Sequence, residues 1–502
     1  MSAAPAVVPD PELLTRLRTK FAAQSGKLLI GGSWRDAESG ETFATVDPAS
    51  GQELARVASA DSADVDLAVG AARRAFEGHW ARTKPNERSR LLLRLAELVE
   101  LHAAELALTE TLDVGRPIAL TRMMDVAGSI EQLRYNAGWA TKLAGETVEV
   151  SMPGEWLAYT LREPVGVCAQ IVPWNFPLLM AVSKIAPALA AGCTVILKPA
   201  EQTPLSTLRL GELVLEAGFP EGVVNILTGF GRTAGAALAA HPDVDKVAFT
   251  GSTATGRAIV DEARRNFKRV GLELGGKSPT YVFADAALLK AIPAAAMSIF
   301  GNAGQVCAAG SRLFVQESVA DEVLEGIVAI ARNLRVGQPL APDTQVGPLI
   351  TQVQLDRVTG YVQSGLDEGA KLLVGGRRIG TAGYFMEPTV FVETRPDMRL
   401  VREEIFGPVL CAVRFENESD IGDLADLGNK TQYGLSASIF TRDLSTAHRL
   451  TRRLKAGTVR VNGGGVDVSL PLGGYKASGW GRENGRAGVE AYTELKAVTV
   501  SL

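Results

Sequence analysis

The sequence predicts an α/β fold built from largely parallel β-sheets that helices cover on both faces. From about residue 165, short apolar runs alternate with helical stretches, an arrangement typical of βαβ units. These runs are continuously apolar, which indicates strands buried on both faces of a sheet. The chain has 502 residues, of which 46% are hydrophobic and 22% charged, so it is expected to form two or three ordinary globular domains.

The chain before residue 143 is predicted to be mainly helical. One amphipathic helix spans residues 62–78, with Ser62 as a suitable N-cap, and a second spans residues 86–112. The apolar face of the first helix carries Val65, Val69, Ala72 and Phe76. Such a face must pack against a sheet or another helix.

Two α/β regions follow. The strands of the first are predicted at Val165–Val172, Thr194–Leu197, Val223–Leu227 and Lys246–Phe249, with helices near residues 178–190, 205–217, 233–239 and 254–265. The second region starts after Gly275-Gly276, with strands at Thr280–Phe283 and Arg312–Val315 and helices near residues 319–334 and 352–369.

Two segments lie outside both regions. Residues 143–163 are predicted to form a β-hairpin, and residues 496–502 a β-rich tail. An exposed apolar edge strand is a liability unless another strand pairs with it. We therefore predict that these segments form a small β oligomerisation element.

Charge and composition argue against several classes of protein. The net charge of −4, without a local Lys/Arg cluster, argues against a nucleic-acid partner. The apolar stretch 176–197 is interrupted by Pro177, Lys184, Pro187 and Gly192, so it predicts a buried helix and strand rather than a membrane span. Four cysteines are too few for a disulfide framework and the first eleven residues lack a secretory pattern, so we expect a cytoplasmic protein. No His/Cys/Asp cluster has the spacing of metal ligands, so no metal is expected.

Cys307 is the candidate nucleophile. It lies in a run of small residues, so a substrate can approach its sulfur, and none of the four histidines sits in a motif that suggests a Cys-His pair. Glu273, between two leucines, is the better candidate base, because apolar flanks favour a raised carboxyl pKa. A cysteine nucleophile with a glutamate base points to aldehyde oxidation rather than proteolysis. The alternatives are an inert buried thiol and a structural carboxylate paired with a residue such as Lys277.

Three further segments fit a dinucleotide site and an oxyanion site. Gly251 and Ser252 follow a strand and open a helix, where a pyrophosphate can bind, although the spacing is not G-x-G-x-x-G. Lys198 and Glu201 follow another strand, and a carboxylate there favours NAD over NADP by repelling a 2′-phosphate. Two solvated surface charges are the alternative for that pair. Asn175 can offer its amide to an oxyanion, or can satisfy the backbone of its own turn.

These segments together resemble the NAD(P)-dependent aldehyde dehydrogenase superfamily. Seven motifs occur in the family's order over roughly residues 27–502. They are Pro173-Trp174-Asn175-Phe176-Pro177, Lys198-Pro199-Ala200-Glu201, Phe249-Thr250-Gly251-Ser252, Leu272-Glu273-Leu274-Gly275-Gly276-Lys277, Gly304-Gln305-Val306-Cys307, Glu403-Glu404-Ile405-Phe406-Gly407-Pro408 and Pro471-Leu472-Gly473-Gly474-Tyr475-Lys476.

The resemblance implies a role for each motif. Cys307 attacks the aldehyde, Asn175 and the Cys307 backbone N–H stabilise the oxyanion, and Glu273 activates the water that hydrolyses the thioester. Lys184 is implied as a helper close to the catalytic centre. The implied NAD ligands, with NADP as a weaker alternative, are Val172, Pro173, Trp174, Lys198, Glu201, Gly251, Ser252, Glu404 and Phe406. A charged cluster that ties the interface to the catalytic segments is implied for Arg269, Arg482 and Glu494.

The family fold also implies a domain division. A Rossmann-like parallel-sheet NAD-binding domain is expected at residues 1–142 and 164–276, and a second α/β catalytic domain at residues 277–477. The oligomerisation element then takes residues 143–163 and 487–502. A homodimer or homotetramer is expected, with a small-molecule aldehyde as the substrate.

The positions that line the family's substrate tunnel predict a wide, apolar pocket. They hold Phe176, Met180, Ser183, Gly301, Val466, Asp467 and Leu472. Small and aliphatic groups at positions that often carry aromatic rings favour a bulky, aryl-substituted aldehyde. Segments 162–167 and 466–471 look similar to those of phenylacetaldehyde-type dehydrogenases, and Asp467 at the predicted mouth favours a polar substituent on the substrate.

Three other functions stay open. One is a broad-range aliphatic or semialdehyde dehydrogenase, although no basic residue is evident to pair with a substrate carboxylate. Another is a coenzyme A-acylating dehydrogenase, although such relatives generally lack the glutamate that stands here as Glu273. The third is a non-catalytic structural or binding protein of the same fold.

Overall fold

The computed structural model describes residues 8–23, 26–416, 420–465 and 467–502. The strands are β1 (Leu28–Ile30), β2 (Ser33–Arg35), β3 (Thr42–Asp47), β4 (Gln52–Ala58), β5 (Thr147–Val148), β6 (Trp156–Pro164), β7 (Val167–Ile171), β8 (Thr194–Lys198), β9 (Val224–Ile226), β10 (Lys246–Thr250), β11 (Arg269–Glu273), β12 (Pro279–Val282), β13 (Arg312–Gln316), β14 (Lys371–Val374), β15 (Thr389–Val392), β16 (Val409–Phe415), β17 (Ser436–Phe440), β18 (Thr458–Val461), β19 (Gly479–Trp480) and β20 (Thr493–Ser501). The helices are α1 (Pro11–Ala23), α2 (Ser62–Glu77), α3 (Pro85–Leu101), α4 (Ala103–Val114), α5 (Ile118–Leu120), α6 (Ala127–Trp139), α7 (Pro177–Ala191), α8 (Leu205–Glu216), α9 (Ala236–Ala240), α10 (Thr253–Ala263), α11 (Leu288–Phe300), α12 (Ala320–Asn333), α13 (Gln352–Asp367), α14 (Arg399–Arg402), α15 (Ile421–Asn429), α16 (Leu444–Arg453) and α17 (Gly485–Glu490).

The first sheet has the strand order β19-β11-β10-β7-β8-β9-β1-β2. Strands β7 to β11 run parallel to one another, whereas β1 and β19 add to the two sides of this group in antiparallel orientation. Every residue of β7, β8 and β10 is buried, as the continuous apolar runs predict. Helices α3, α6, α7 and α8 cover one face of this sheet, and α2, α9 and α10 cover the other.

The second sheet has the order β14-β15-β16-β13-β12-β17-β18 and is parallel except for the β14–β15 pair. Residues 274–278 connect β11 of the first sheet directly to β12 of the second. The carboxyl edge of the first sheet therefore faces the amino edge of the second. The α/β prediction is confirmed, and the junction of the two sheets is where the candidate site lies.

The third sheet consists of β20, β6 and β5. Strands β6 and β20 pair antiparallel from Trp156↔Ser501 to Thr493↔Pro164, and β5 pairs with the other side of β6. The hairpin predicted within residues 143–163 is present, and the tail pairs with it. The predicted C-terminal part, residues 487–502, contains the end of α17 and the whole of β20. The assignment of the three regions to separate domains stays a prediction.

Two predictions in the helical N-terminal region are wrong. The N-cap of α2 is Asp61 rather than Ser62, because the Asp61 carboxylate accepts hydrogen bonds from the backbone N–H groups of Ala63 and Asp64. The single helix predicted at residues 86–112 is two helices, α3 and α4, which meet at His102. The His102 ring contacts Arg209 of α8 at 3.1 Å, so a tertiary contact accompanies the break.

The length and hydropathy of each helix indicate whether it could cross a membrane. Within the ranges that the structure describes, no helix is both long enough and apolar enough to cross a membrane. The apolar stretch 176–197 instead forms α7 and most of β8, as predicted.

Candidate active site

The parallel strands of the first sheet bring four predicted segments to one edge. Strand β7 ends at Ile171 and leads into the loop that carries Asn175, and β8 ends at Lys198. Strand β10 leads into Gly251, and β11 ends at Glu273. Because the carboxyl ends of parallel strands meet at the same edge, these side chains share one cleft, the usual ligand position in α/β proteins.

Cys307 lies in a loop between α11 and β13, on the second sheet's side of this cleft. The loop starts with a 3₁₀ turn in which Asn302 (φ 50°), Ala303 (φ 51°) and Gly304 (φ 72°) are left-handed. A side chain at Gly304 would clash with the carbonyl of Gly407, and one at Gly276 would clash with the carbonyl of Cys307. Two glycines therefore let the backbone approach closely enough to hold the cysteine at the junction of the sheets.

The thiol of Cys307 is accessible but not ionised at neutral pH. Cys307 is half-buried, whereas Cys168, Cys193 and Cys411 are buried. Burial, together with the nearby carboxylates of Glu404 and Glu273, raises the pKa of the Cys307 thiol to about 12. The site in this state holds a protonated thiol next to two acidic groups, so the thiolate requires a proton acceptor or a nearby positive charge.

Glu273 is a buried carboxyl group near this thiol. Its pKa is raised well above its usual value, first by burial and then by the carboxylate of Glu483, while Lys184 and Arg482 lower it. Its Oε2 atom has no hydrogen-bond partner among the described residues. The alternative of a structural ion pair with Lys277 is wrong, since the Lys277 ammonium also lacks a hydrogen-bond partner in the described chain. An unpartnered carboxyl with a raised pKa is suited to take up a proton near neutral pH.

Lys184 lies next to Glu273, where its buried ammonium forms an ion pair with Glu483. The sequence predicted Lys184 near the site, but it did not predict Glu483. Glu483 lies 299 residues further along the chain, and its backbone pairs with Leu472. Nothing local in the sequence marks Glu483, because its partner becomes a neighbour only when β19 joins the first sheet.

The Asn175 side chain is buried and points to the cysteine loop. Its Nδ2 donates to the carbonyl of Gln305 at 2.9 Å, two residues before Cys307. The alternative in which this amide satisfies its own turn is therefore wrong. Asn175 is held in turn by Arg116, whose guanidinium donates to the Asn175 carbonyl, a contact that the sequence did not predict.

The cofactor segments line the other end of the cleft. The Val172 N–H donates to the Lys198 carbonyl at 3.1 Å, and the Lys198 ammonium lies 3.7 Å from Glu201. Lys198 is 1% exposed, so it is not a solvated surface charge, whereas the side chain of its partner Glu201 is 33% exposed. Burial lowers the pKa of Lys198, and the neighbouring Glu201 carboxylate opposes that shift.

The N-terminus of α10 faces the same cleft. Ser252 is the N-cap of this helix and accepts a hydrogen bond from the Thr255 N–H at 3.1 Å. The N–H of Gly251 donates to the Glu273 carbonyl at 3.0 Å, which ties this turn to the catalytic strand. Free amides and the positive end of a helix dipole are suited to a pyrophosphate.

Glu404 and Phe406 close the cleft near Cys307. The Glu404 Oε1 atom accepts a hydrogen bond from the Gly276 N–H at 2.9 Å. Phe406 has a left-handed backbone (φ 59°), and its ring lies 5.3 Å from the Trp174 ring in an edge-on arrangement. A strained, non-glycine backbone of this kind is typical of functional sites. The residue set therefore fits NAD, with Lys198 and Glu201 at one end and Glu404 at the other.

The predicted substrate residues divide into two groups. Phe176 is the N-cap of α7, and Met180 and Ser183 follow within the helix, three residues apart and therefore on one helix face. Gly301 borders open space, since nothing lies within 4 Å of a side chain built there. Leu472 is half-buried, Asp467 is exposed and accepts a hydrogen bond from the Ser469 N–H at 2.8 Å, and Val466 lies outside the described residues. The pocket roles of these residues stay predictions.

The predicted charged cluster is only partly formed. Arg269 and Glu494 make a two-pronged ion pair, with distances of 2.7 and 3.0 Å. Arg482 does not join this pair in the described structure. Its guanidinium donates to the carbonyls of Gly481 and Gly474, and its charge lowers the pKa of Glu273. Arg482 therefore acts on the catalytic side of the molecule.

Comparison with known proteins gives a consistent result. Residues 34–498 match the model of the Aldehyde dehydrogenase family. The chain is 50% identical over 493 residues to the "Putative aldehyde dehydrogenase DhaS" of Bacillus subtilis (strain 168), covering 98% of each chain. An NAD+ complex of an aldehyde dehydrogenase from Bacillus cereus matches with a TM-score of 0.94 and 44% identity, over 98% of this chain and 99% of that one. The P. syringae AldA indole-3-acetaldehyde dehydrogenase, in complex with NAD+ and IAA, matches with a TM-score of 0.94 and 43% identity, over 97% and 99%. With these similarities, the cysteine and glutamate at the sheet junction and the cleft that fits a dinucleotide, the chain belongs to the aldehyde dehydrogenase family and is an NAD-dependent aldehyde dehydrogenase.

Proposed function

We propose that this protein oxidises a bulky, aryl-substituted aldehyde to the free carboxylic acid. The observation that carries the hydrolytic outcome is the environment of Glu273. Its carboxyl group is buried, has a raised pKa and an oxygen without a hydrogen-bond partner in the described chain, and interacts electrostatically with Cys307. Such a group can accept a proton from a water molecule, as a general base must.

Cys307 supplies the nucleophile in this proposal. Attack of its sulfur on the aldehyde carbon forms a tetrahedral oxyanion, which the amide of Asn175 and the backbone N–H of Cys307 stabilise. The pKa of about 12 means that the thiol proton must leave during activation, and Glu273 is the neighbouring acceptor. Bound NAD would supply the hydride acceptor at this point, and Cys307 would then hold the acyl group as a thioester.

Glu273 then governs the release of the product. Once it has released the thiol proton to solvent, it takes a proton from water, the water oxygen attacks the thioester carbon, and the Cys307 sulfur leaves as a thiolate. Lys184 and Glu483 form an ion pair beside the Glu273 carboxyl group. The two charges of this pair balance each other, so no unpaired charge is left in the buried site when Glu273 is protonated and neutral.

The product distinguishes this proposal from coenzyme A acylation. The purified enzyme is incubated with aldehyde and NAD, with and without coenzyme A, and the acid, the acyl-coenzyme A and the NADH are quantified. We expect one acid for each NADH in both mixtures. Acyl-coenzyme A as the main product would contradict the proposal, and no NADH with any aldehyde would favour a non-catalytic protein.

Three observations support a bulky, aryl-substituted substrate. The start of α7 presents Phe176 and Met180 next to the small Ser183, and Gly301 leaves open space near the cysteine loop. The matched AldA structure is that of an indole-3-acetaldehyde dehydrogenase, whose substrate is an aryl acetaldehyde. We expect phenylacetaldehyde to give a higher kcat/KM than acetaldehyde or succinic semialdehyde. The reverse order would favour the alternative of a broad-range aliphatic or semialdehyde dehydrogenase.

The activity is expected to rise with pH. The pKa values of Cys307 and Glu273 are both raised in the folded protein, and each group reacts only after it has lost its proton. Below the controlling pKa, kcat/KM should therefore fall by about tenfold for each pH unit. Initial rates between pH 6 and 9 at saturating NAD test this, and an activity that decreases with rising pH in this range would contradict it.

We also propose that the third sheet is an assembly surface that makes a homodimer or homotetramer. This small sheet exposes several large apolar side chains, an unusual feature for a surface that faces only water. They are Val148, Leu157, Leu161, Leu495 and Val500. Leu157 and Val500 are directly paired across the β6–β20 ladder. Replacing both with lysine is expected to lower the mass measured by light scattering, whereas Val353→Lys, a control at an exposed position on α13, is not.

A further inference from the structure

We infer that Arg116 is a positioning residue of the oxyanion site, an inference that rests on the proposed function. Arg116 follows Gly115, whose left-handed backbone (φ 79°) ends α4 and turns the chain into the interior. The Arg116 residue is only 2% exposed. A buried arginine must have partners for its charge and its donors, and those partners show what it does.

The guanidinium of Arg116 contacts three separate parts of the chain. One end nitrogen forms an ion pair with Asp125, which lies in the π-helical turn 121–126 and is itself fully buried. The other end nitrogen donates to the backbone carbonyl of Asn175. The Nε–H donates to the side-chain oxygen of Asn302 at 3.1 Å. Its centre also lies 4.0 Å from the middle of the Phe176 ring.

These contacts complete a closed set of hydrogen bonds around the cysteine loop. The side-chain amide of Asn302 donates to the carbonyls of Asn175 (3.4 Å) and Gln305 (3.2 Å). The amide of Asn175 donates to the same Gln305 carbonyl at 2.9 Å. Arg116 therefore holds the residue that presents the oxyanion donor, and also the left-handed residue that starts the loop of Cys307.

Arginine is the side chain that suits this position. Its planar guanidinium presents donors in fixed directions, so one group can satisfy a carboxylate, a carbonyl and an amide oxygen at once. A lysine ammonium keeps the charge beside Asp125 but cannot reach the three acceptors in one plane. Loss of this geometry would let Asn175 shift relative to Cys307, and a shift of about 1 Å at a reacting centre lowers rates by up to about 100-fold.

The primary test is the variant Arg116→Lys. We expect kcat and kcat/KM for the aldehyde to fall together by about 10- to 100-fold, because the oxyanion forms only after attack. The KM for NAD should change little, since the partners of Arg116 are Asp125, Asn175, Phe176 and Asn302, none of which is among the residues implied as NAD ligands. The matched control is Arg122→Lys, at an exposed position in the neighbouring turn, with no expected change in these constants.

A double-mutant cycle with Asn175→Ala separates positioning from simple support of the fold. If Arg116 acts through the Asn175 amide, Arg116→Lys should change kcat/KM by less than about twofold in the Asn175→Ala enzyme. A residue that only stabilised the fold would lower activity by the same factor in both backgrounds. Thermal unfolding of each variant verifies that the compared enzymes are folded at the assay temperature.

Two results would overturn the inference: kcat/KM of Arg116→Lys within twofold of the wild type, or equal losses in both backgrounds. Should Arg116→Lys fail to fold, Asp125→Asn replaces it, because this nearly isosteric change removes the charge that orients the guanidinium. The same non-additivity with Asn175→Ala is expected, and additive losses or no loss would again contradict the inference. A wild-type enzyme without NADH production from any aldehyde would contradict the proposed function instead, so the two failures are distinguishable.

Discussion

Replacing Cys307 with serine is expected to lower kcat/KM for aldehyde oxidation by about 10⁴-fold or more, the usual result of removing a covalent nucleophile. The serine hydroxyl has nearly the same size but ionises far less readily than a thiol. Burial, and then the nearby carboxylates of Glu404 and Glu273, already raise the pKa of the thiol itself to about 12. A serine hydroxyl beside the same two carboxylates would lose its proton even less readily than the thiol does.

Activity should be lost only when this cysteine is replaced, and the loss should affect the chemical step and not the binding of the cofactor. Cofactor affinity, measured by the quenching of tryptophan fluorescence, should be unchanged in Cys307→Ser, because the cofactor segments do not include the sulfur. Cys168→Ala is the matched control: Cys168 is buried on β7, away from the cleft, and its removal should leave kcat/KM within about threefold of the wild type. More than a few per cent of residual activity in Cys307→Ser would contradict the assignment of the nucleophile.

Glu273→Gln is expected to lower the steady-state rate by about 10²- to 10⁴-fold, the range for loss of a general base. Glutamine has the shape of glutamate but cannot take a proton from water. If Glu273 serves mainly to hydrolyse the thioester, the variant should release about one NADH per active site in a rapid burst and then stall. Stopped-flow absorbance at 340 nm measures both phases.

An added nucleophile identifies the step that is lost. Hydroxylamine attacks thioesters without a base on the enzyme, so it should restore turnover of Glu273→Gln and give the hydroxamic acid. The control Glu325→Gln, at an exposed position on α12, should behave like the wild type. A variant that shows neither burst nor rescue would mean that Glu273 is needed before the thioester forms, and an unchanged rate would remove it from the mechanism.

The interior of the fold is predictable from the sequence, and its edges are not. Strands β7, β8 and β10 are buried along their whole length, so their apolar runs stand out. Strands β1, β2 and β19 contain two or three residues each and become strands only by pairing with the sheet, so no local pattern marks them. The sequence likewise does not reveal that residues 86–112 form two helices that meet at His102, since neither a glycine nor a proline marks the break.

The candidate site divides in the same way. Cys307, Glu273 and Asn175 stand in short motifs whose residue types already indicate their chemistry. Glu483 and Arg116 do not, because their roles depend on contacts that lie far apart in the chain. The Lys184–Glu483 pair is separated by 299 residues, and the Arg116–Asn302 bond by 186. A sequence shows which side chains can react, whereas the groups that orient them are visible only in the folded molecule.

The pairing of β19 with β11 has a consequence for how the enzyme matures. Glu273 ends β11, and β19 and Glu483 come from residues 479–483, close to the end of the chain. A ribosome makes these residues long after Glu273, so the nascent chain carries its base without the ion pair beside it until residue 483 has emerged. Long-range pairing of this kind is slow compared with local folding. We therefore expect catalytic competence to appear only after residues 479–483 have joined the first sheet, later than cofactor affinity.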